Sequence, residues 1–481
     1  MMQYILNAIT LPLLGEVNLS GSILFIFFLC LLCVVAFEFV NGFHDTANAV
    51  ATVIYTRALK PMIAVPWSGA WNFIGVFVGG IAVAMGILKL IPLNELMALP
   101  VSVGAAMVLA VLISSIIWNL GTWYFGIPCS SSHTLIGAII GATIGFTIFY
   151  HGAGVNWDKA KEIGLSLVLS PIIGFFAAWG LMYFLKWLTN LLTRATKKES
   201  SLFHIPGEDD RPPLLIRILL IFTCTWVSFS HGSNDGQKGV GLLMLILIAF
   251  LPAKFAIDHS ITDDKIMNSL VITEQPLQRA SQANNAKLDE LNTLSALVAT
   301  AKQDVATKNA DAAQTFKFRK EIQTITKQLK ALDTRKDLSI PQADKTVFKE
   351  AAHGLGNVTD FAPLWVIATI SISLGIGTMI GWKRIVVTIG TKIGNEHLNY
   401  AQGASAELVA GATIQLSSMF GLPVSTTHVL SSGIAGSMVA AGGTKNINKG
   451  TIRSIAMAWI LTLPVCILLS MGLFFLFHLF V

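Results

Sequence analysis

Charge is scarce in this chain of 481 residues. Asp, Glu, Lys and Arg make up 12% of it and hydrophobic residues 53%, whereas a soluble globular chain is roughly a quarter charged. No water-soluble core can hide that much apolar surface, which excludes an ordinary soluble domain. Cysteine is also sparse: Cys30, Cys33, Cys129, Cys224 and Cys466 all lie in apolar runs. Their spacing fits neither a metal centre nor a disulfide framework, so no resident metal and no cofactor are expected. No Lys or Arg precedes Arg57. Without a basic leader region, the first apolar run is expected to be a retained membrane helix that starts outside. The net charge of +6 gathers at the ends of apolar runs rather than in a basic patch with interleaved aromatics, which argues against a nucleic-acid partner.

Long apolar runs are what the chain has in abundance. A helix needs about 20 apolar residues to cross a bilayer. Ten segments read as membrane elements on this basis: 21–56, 63–88, 99–118, 126–149, 163–186, 214–250, 363–381, 400–420, 428–442 and 452–480. The first and sixth exceed one straight crossing, and polar clusters at 41–48 and 231–238 interrupt them; both are expected to break inside the membrane. Threading from an outside start places Arg57, Lys60, Lys186, Arg194, Lys197, Lys198, Lys383, Arg384, Lys392, Lys445, Lys449 and Arg453 on one side, expected to be the cytoplasm. Both termini are then extracytoplasmic. Residues 254–360 hold 15 of the 33 basic and 14 of the 27 acidic residues, and Ile322, Ile325, Leu329 and Leu332 predict helices there. The expected organisation is an extracytoplasmic start (1–20), a first transmembrane repeat (21–190), a cytoplasmic linker (191–213) and the start of a second repeat (214–250). A helical extracytoplasmic insertion (251–362) and the rest of the second repeat (363–481) complete it.

Two kinds of motif occur twice. Gly42-Phe43-His44-Asp45-Thr46-Ala47-Asn48-Ala49 is matched by Gly232-Ser233-Asn234-Asp235-Gly236-Gln237-Lys238-Gly239. Gly126-Ile127-Pro128-Cys129-Ser130-Ser131-Ser132-His133 is matched by Gly421-Leu422-Pro423-Val424-Ser425-Thr426-Thr427-His428. The two kinds lie 84 residues apart in the first half and 189 in the second. The excess is close to the length of the polar block. Each half contributes five segments, an odd number, so the second enters from the opposite face. The expected fold is an all-α polytopic membrane protein of two inverted-topology repeats with broken helices and hairpins, plus a helical extramembrane insertion.

A chain break at membrane depth survives only where it lines a cavity or meets protein. Gly-x-Pro followed by three hydroxyl residues would end one segment and open the next helix, with Pro suited to the first turn and Ser or Thr to the cap. Two such helix starts would grip a tetrahedral oxyanion through backbone amides and the hydroxyls of Ser130, Ser131, Ser132, Ser425, Thr426 and Thr427. An isolated hydroxyl triplet would more often be helix packing; its duplication reverses the balance. Asp45 and Asp235 suit an anion that still bears a proton, as phosphate does at neutral pH, while rejecting sulfate; alternatively each holds a coupling cation. A buried helix-capping role is the plainer explanation for both. Lys238 takes the repeat position of Asn48 and would neutralise phosphate or pair with Asp235. His44, His133, His231 and His428 are candidate proton carriers, each equally compatible with neutral packing. Glu407 has no evident partner and is a candidate cation or proton site; Glu38, just before the first expected break, is a weaker candidate of the same kind, with a helix-capping role as the plainer alternative.

At these motifs the chain resembles the inorganic phosphate transporter family, whose signature is Gly-x-Asn-Asp-x-x-Asn in both halves together with the Gly-x-Pro hairpin starts. The resemblance covers 21–250 and 363–480 and is greatest to the bacterial low-affinity branch. It implies a multi-pass protein of the bacterial inner membrane with about 10–12 membrane elements, split hairpins among them. It implies proton-coupled import of inorganic phosphate, with metal-phosphate complexes as further cargo and a homodimer as an admissible assembly. Asp45, Asn48, Asn234 and Asp235 match the signature. His44 and Lys238 depart from it, which weakens a sodium site and favours a proton. Sodium-coupled symport, a sulfate or other oxyanion permease and a passive anion channel are the competing functions. A serine hydrolase built on Ser132 and His133 is disfavoured, because adjacent helical residues point apart.

Overall fold

A computed structural model describes residues 9–17, 19–96, 99–152, 154–196, 201–207, 211–284, 287–309 and 311–480. Lys197 and Lys198, parts of the expected N-terminal stretch and linker, and a few residues of the expected insertion lie outside the described residues. A short antiparallel hairpin, β1 (Ile9–Leu11) with β2 (Gly15–Val17), precedes a chain that is otherwise helical.

The helices follow in order: α1 (Gly21–Tyr55), α2 (Pro61–Val78), α3 (Ala82–Leu88), α4 (Leu93–Leu96), α5 (Val101–Tyr124), α6 (Ser131–Tyr150), α7 (Trp157–Thr196) and α8 (Leu214–Phe250). After them come α9 (Pro252–Phe255), α10 (Asp263–Val271), α11 (Glu274–Ala283), α12 (Leu288–Asp304), α13 (Ala312–Thr334) and α14 (Gln342–Thr359). The chain ends with α15 (Leu364–Thr378), α16 (Lys383–Val387), α17 (Tyr400–Met419), α18 (Thr426–Gly442) and α19 (Lys449–His478). Among the described residues seven helices are long and apolar enough to cross a bilayer: α1, α2, α5, α6, α7, α8 and α19. Leu165, Val168, Ile172, Phe176 and Trp187 stand exposed along α7, as lipid-facing side chains do. The protein is an all-α, multi-span membrane protein.

Two compact units divide the chain. One unites the N-terminal segment with Met244–Pro363, the other Leu19–Leu243 with Leu364–Val481. In the first, α10 to α14 bury their own apolar core, to which α13 contributes Ile322, Ile325, Leu329 and Leu332. Arg319, buried in α13, donates to the carbonyls of Ala256 and Thr359, and Asp258 N donates to Val358 O at 2.8 Å. The two ends of this helical block therefore meet.

The second unit departs from expectation in its long helices. Neither α1 nor α8 breaks at its polar cluster; both run unbroken through it. Packing explains why. The polar side chains find partners on neighbouring helices, and the glycines serve close helix crossing rather than chain reversal. A Cβ on Gly42 would lie 2.7 Å from Thr378 N, and one on Gly232 would lie 2.9 Å from Asn72 Cα. Gly42→Val and Gly232→Val are accordingly expected to abolish the monodisperse peak in detergent size-exclusion chromatography. Gly164→Val, in α7 with nothing within 4 Å of its Cβ, should leave it intact. Equal behaviour of all three would refute the crossing argument.

The interruptions fall elsewhere. The segment expected over 63–88 divides into α2 and α3 at Gly79 and Gly80, the latter with φ +82. The turns between α5 and α6 and between α17 and α18 pass through Gly126 (φ +66) and Gly421 (φ +67), a backbone region open to glycine. Ser130 then caps α6 by accepting from His133 N at 3.2 Å, and Ser425 caps α18 by accepting from His428 N at 3.1 Å. Pro128 and Pro423 precede these caps by two residues instead of entering the first turn, where the small Ser131 and Thr426 sit.

Candidate functional site

The two motif helices and the two hairpin turns meet in one buried cluster. Asp45 on α1 lies between the hairpins: its Oδ2 accepts from Ser131 Oγ at 3.0 Å and its Oδ1 from Thr427 Oγ1 at 2.5 Å and Asn48 Nδ2 at 3.0 Å. Ser131 also reaches Asp235 Oδ2 at 3.3 Å, so one hydroxyl bridges both carboxylates. Lys238 Nζ lies 2.7 Å from Asp235 Oδ2 and donates to Ser132 Oγ at 2.6 Å. Ser132 Oγ in turn donates to Val424 O at 2.6 Å. Asp45, Asp235, Lys238 and the hydroxyl residues are all essentially inaccessible to solvent.

The contacts follow a two-fold pattern. The residue three after each aspartate grips the hairpin of the other half: Asn48 donates to Thr427 Oγ1 at 3.0 Å, and Lys238 to Ser132. The residue before each aspartate grips the hairpin of its own half. His44 Nε2 meets Thr122 Oγ1 at 3.2 Å, just ahead of the first turn. Asn234 donates to Ser418 Oγ at 2.9 Å and Leu422 O at 3.1 Å, around the second. Replacement of Asn by His at position 44 thus preserves a clamp rather than a ligand.

His231 completes the centre through a relay absent from the motif analysis. Thr378 Oγ1 donates to Leu374 O at 2.8 Å, so it accepts from Asn72 Nδ2 at 3.0 Å. Asn72 must then offer its Oδ1 to His231 Nδ1, which donates at 2.8 Å. His231 Nε2 is left facing Asp45 Oδ2 and Asp235 Oδ2, each at 3.5 Å. Asp45, His231 and Asp235 present ligand atoms within 4.8 Å of one another, a set that fits a small cation. Asn48 Oδ1, His231 Nε2 and Asp235 Oδ1 have no hydrogen-bond partner among the described residues. A lone Asn in the apolar run of α2 was the signal that could have revealed Asn72.

Other expected residues sit apart. Ser130 and Ser425 serve their own helix starts. His133, whose Nδ1 lies 2.9 Å from Ser130 Oγ, stacks on His428 with centroids 4.6 Å apart, and His428 stacks on Trp459 at 3.9 Å. The two histidines pack the hairpins against each other. Glu407 is not without a partner: Thr223 on α8 donates to its Oε2. Thr223 precedes His231 by eight residues, about 12 Å along the helix at 1.5 Å per residue. Ser131, Ser132, Thr426 and Thr427 remain as hydroxyls at the cluster, with the positive ends of α6 and α18 behind them.

The phosphate transporter family matches residues 41–470. The chain is 41% identical to the low-affinity inorganic phosphate transporter PitA of Escherichia coli (strain K12), over 93% of this chain and 96% of that protein. It is 39% identical to PitB of the same strain, over 93% and 95%. A low-affinity inorganic phosphate transporter of Buchnera aphidicola (subsp. Acyrthosiphon pisum) is 40% identical over 96% and 98%. Among solved structures, a sodium-dependent phosphate transporter aligns with a TM-score of 0.60, covering 95% of this chain and all of that one. Identity there is 18%, so the likeness concerns the fold alone.

Proposed function

Because the chain belongs to the phosphate transporter family, we propose that it is a carrier, not an enzyme, that imports inorganic phosphate across the bacterial inner membrane. The observation that carries this reading is the meeting of two capped helix starts at Asp45, through Ser131 at 3.0 Å and Thr427 at 2.5 Å. Helix starts favour an anion. The hydroxyls and Lys238 supply donors, while Asp45 and Asp235 accept the acidic hydroxyl that phosphate retains and sulfate lacks.

The carrier is built on two inverted repeats that work by alternating access, with both termini and the block at 251–362 extracytoplasmic. The two-fold gripping pattern supports that plan, since each motif helix holds both hairpins. Coupling runs on protons in this reading. Lys238 already neutralises Asp235 at 2.7 Å, which reduces the negative charge open to a sodium ion. Divalent metal travels as phosphate complex, with the Asp45, His231 and Asp235 set as its contact.

Radiolabelled phosphate uptake into proteoliposomes, with pH and sodium gradients imposed separately, tests both levels. Uptake driven by the pH gradient, competed by arsenate at least about tenfold better than by sulfate, is the expected result, since a lost proton-accepting contact is worth about 1.5 kcal/mol or more. Sodium-driven uptake would replace the coupling assignment, and equal competition by sulfate would remove the carboxylates from substrate selection.

A further inference from the structure

Glu38 lies midway along α1, far from either cap: the helix begins at Gly21 and ends at Tyr55. It therefore caps nothing, which removes the plainer of the two sequence readings. Its side chain is completely buried. Asn41 Nδ2 donates to its Oε2 at 3.3 Å, and Oε1 has no hydrogen-bond partner among the described residues. The carboxyl is nevertheless accommodated by design of the neighbouring helix: a Cβ on Gly239 of α8 would stand 2.5 Å from Glu38 Oε1 and Cδ. Glycine at 239 opens a niche for it directly after Lys238, in the unit that holds the cluster.

We propose that Glu38 carries the coupling proton, an inference that rests on the proton-coupled phosphate uptake set out above. A carboxylate that far from water, held by one long bond from a neutral amide, is stable only when protonated or when a cation turns toward it. Lys238 is that cation. Lys238 is engaged by Asp235 and Ser132. Phosphate entering beside Lys238 brings further negative charge, which favours the protonated acid at Glu38; departure of phosphate removes it and frees the proton. One proton is taken up by the Glu38 carboxylate on the side where phosphate enters and returned to water on the side where it leaves, so the carboxyl ends each cycle unchanged. Binding of the two is then mutually reinforcing.

The charged and titratable groups around Glu38 are few. On α8 they are Lys238, Asp235 and His231, and along α1 Cys30, Cys33, His44, Asp45 and Tyr55. Of the other helices packed on α1, α2 and α15 carry no titratable side chain, and α5 has only Tyr124 at its far end. Glu407 on α17 is engaged by Thr223, and His428 on α18 is stacked on Trp459. On α16 and the turn that follows it, Lys383, Arg384 and Lys392 are exposed.

The experiment compares two modes of transport in proteoliposomes containing wild type, Glu38→Gln or Glu38→Asp. Phosphate–phosphate exchange at equal pH needs no net proton movement, whereas uptake against a gradient does. Glu38→Gln is expected to keep exchange within about twofold of wild type and to lose accumulation driven by the pH gradient, with Glu38→Asp recovering part of it. Gradient-driven accumulation by Glu38→Gln near the wild-type level overturns the inference. So does joint loss of exchange and accumulation in a monodisperse Glu38→Gln protein, which would assign Glu38 to substrate binding or packing. Absence of exchange in the wild type is a different result and strikes the phosphate reading itself, independently of Glu38.

Discussion

Asp45→Asn should cut phosphate uptake by roughly 10- to 100-fold while leaving expression and detergent stability near wild type; Asp235→Asn should cut uptake as far but also lower stability, because Lys238 loses its buried partner. The asymmetry follows from the geometry. Asn keeps the size of Asp and one carbonyl oxygen, so Ser131 and Thr427 retain an acceptor at position 45. What disappears is the charge that accepts the phosphate hydroxyl, a loss of about 1.5–3 kcal/mol per hydrogen bond to a charged group. Asp45→Glu should fail as well, since an added methylene pushes the carboxylate into hairpin starts that already contact it. Uptake is measured with labelled phosphate and stability by thermal unfolding in detergent. Near-normal uptake by both Asn variants would leave the helix starts and their hydroxyls as the only supported anion ligands. Loss of uptake by Asp45→Asn that merely tracks misfolding would return that aspartate to a packing role.

Lys238→Met carries the largest expected effect on stability. Its ammonium and the Asp235 carboxylate are both fully buried and 2.7 Å apart. Removing one member of such a pair leaves an uncompensated charge, typically a loss of about 3–5 kcal/mol. Thermal unfolding of Lys238→Met should begin at a clearly lower temperature than that of wild type. The double variant Asp235→Asn/Lys238→Met removes both charges together and should recover most of the stability, because a buried pair and a neutral replacement of similar volume are often nearly equal. It should not recover uptake. A single variant as stable as wild type would mean that water reaches the pair, and transport by the double variant would exclude the pair from the substrate path.

Within the block between 251 and 362 the two ends are held to each other. Arg319 holds Ala256 O and Thr359 O together, and the backbones of Asp258 and Val358 are bonded. A segment whose ends meet adds little constraint to the chain that carries it. Its helices have a core of their own.

Local chemistry was legible in the sequence. Runs of apolar residues over about 20 positions announce membrane helices because the bilayer thickness fixes their length. Gly126 and Gly421, each four residues ahead of a serine, announce a turn and a capped helix because those preferences act within one turn of chain. Duplication of both motifs pointed to the cluster that includes Asp45, Asp235, Asn48 and Lys238. The continuity of α1 and α8 was not legible. Polar residues inside a helix break it only if nothing else satisfies them, and here Thr378, Thr426, Thr427 and Asn72 do so from positions far away in the chain. The same reason hid the His231–Asn72–Thr378 relay, the pairing of Glu407 with Thr223 and the niche that Gly239 makes for Glu38. Sequence determined which residues are polar at membrane depth and where helices start; tertiary structure alone decided which of them meet, because a buried polar group takes its role from the partner that the fold brings to it.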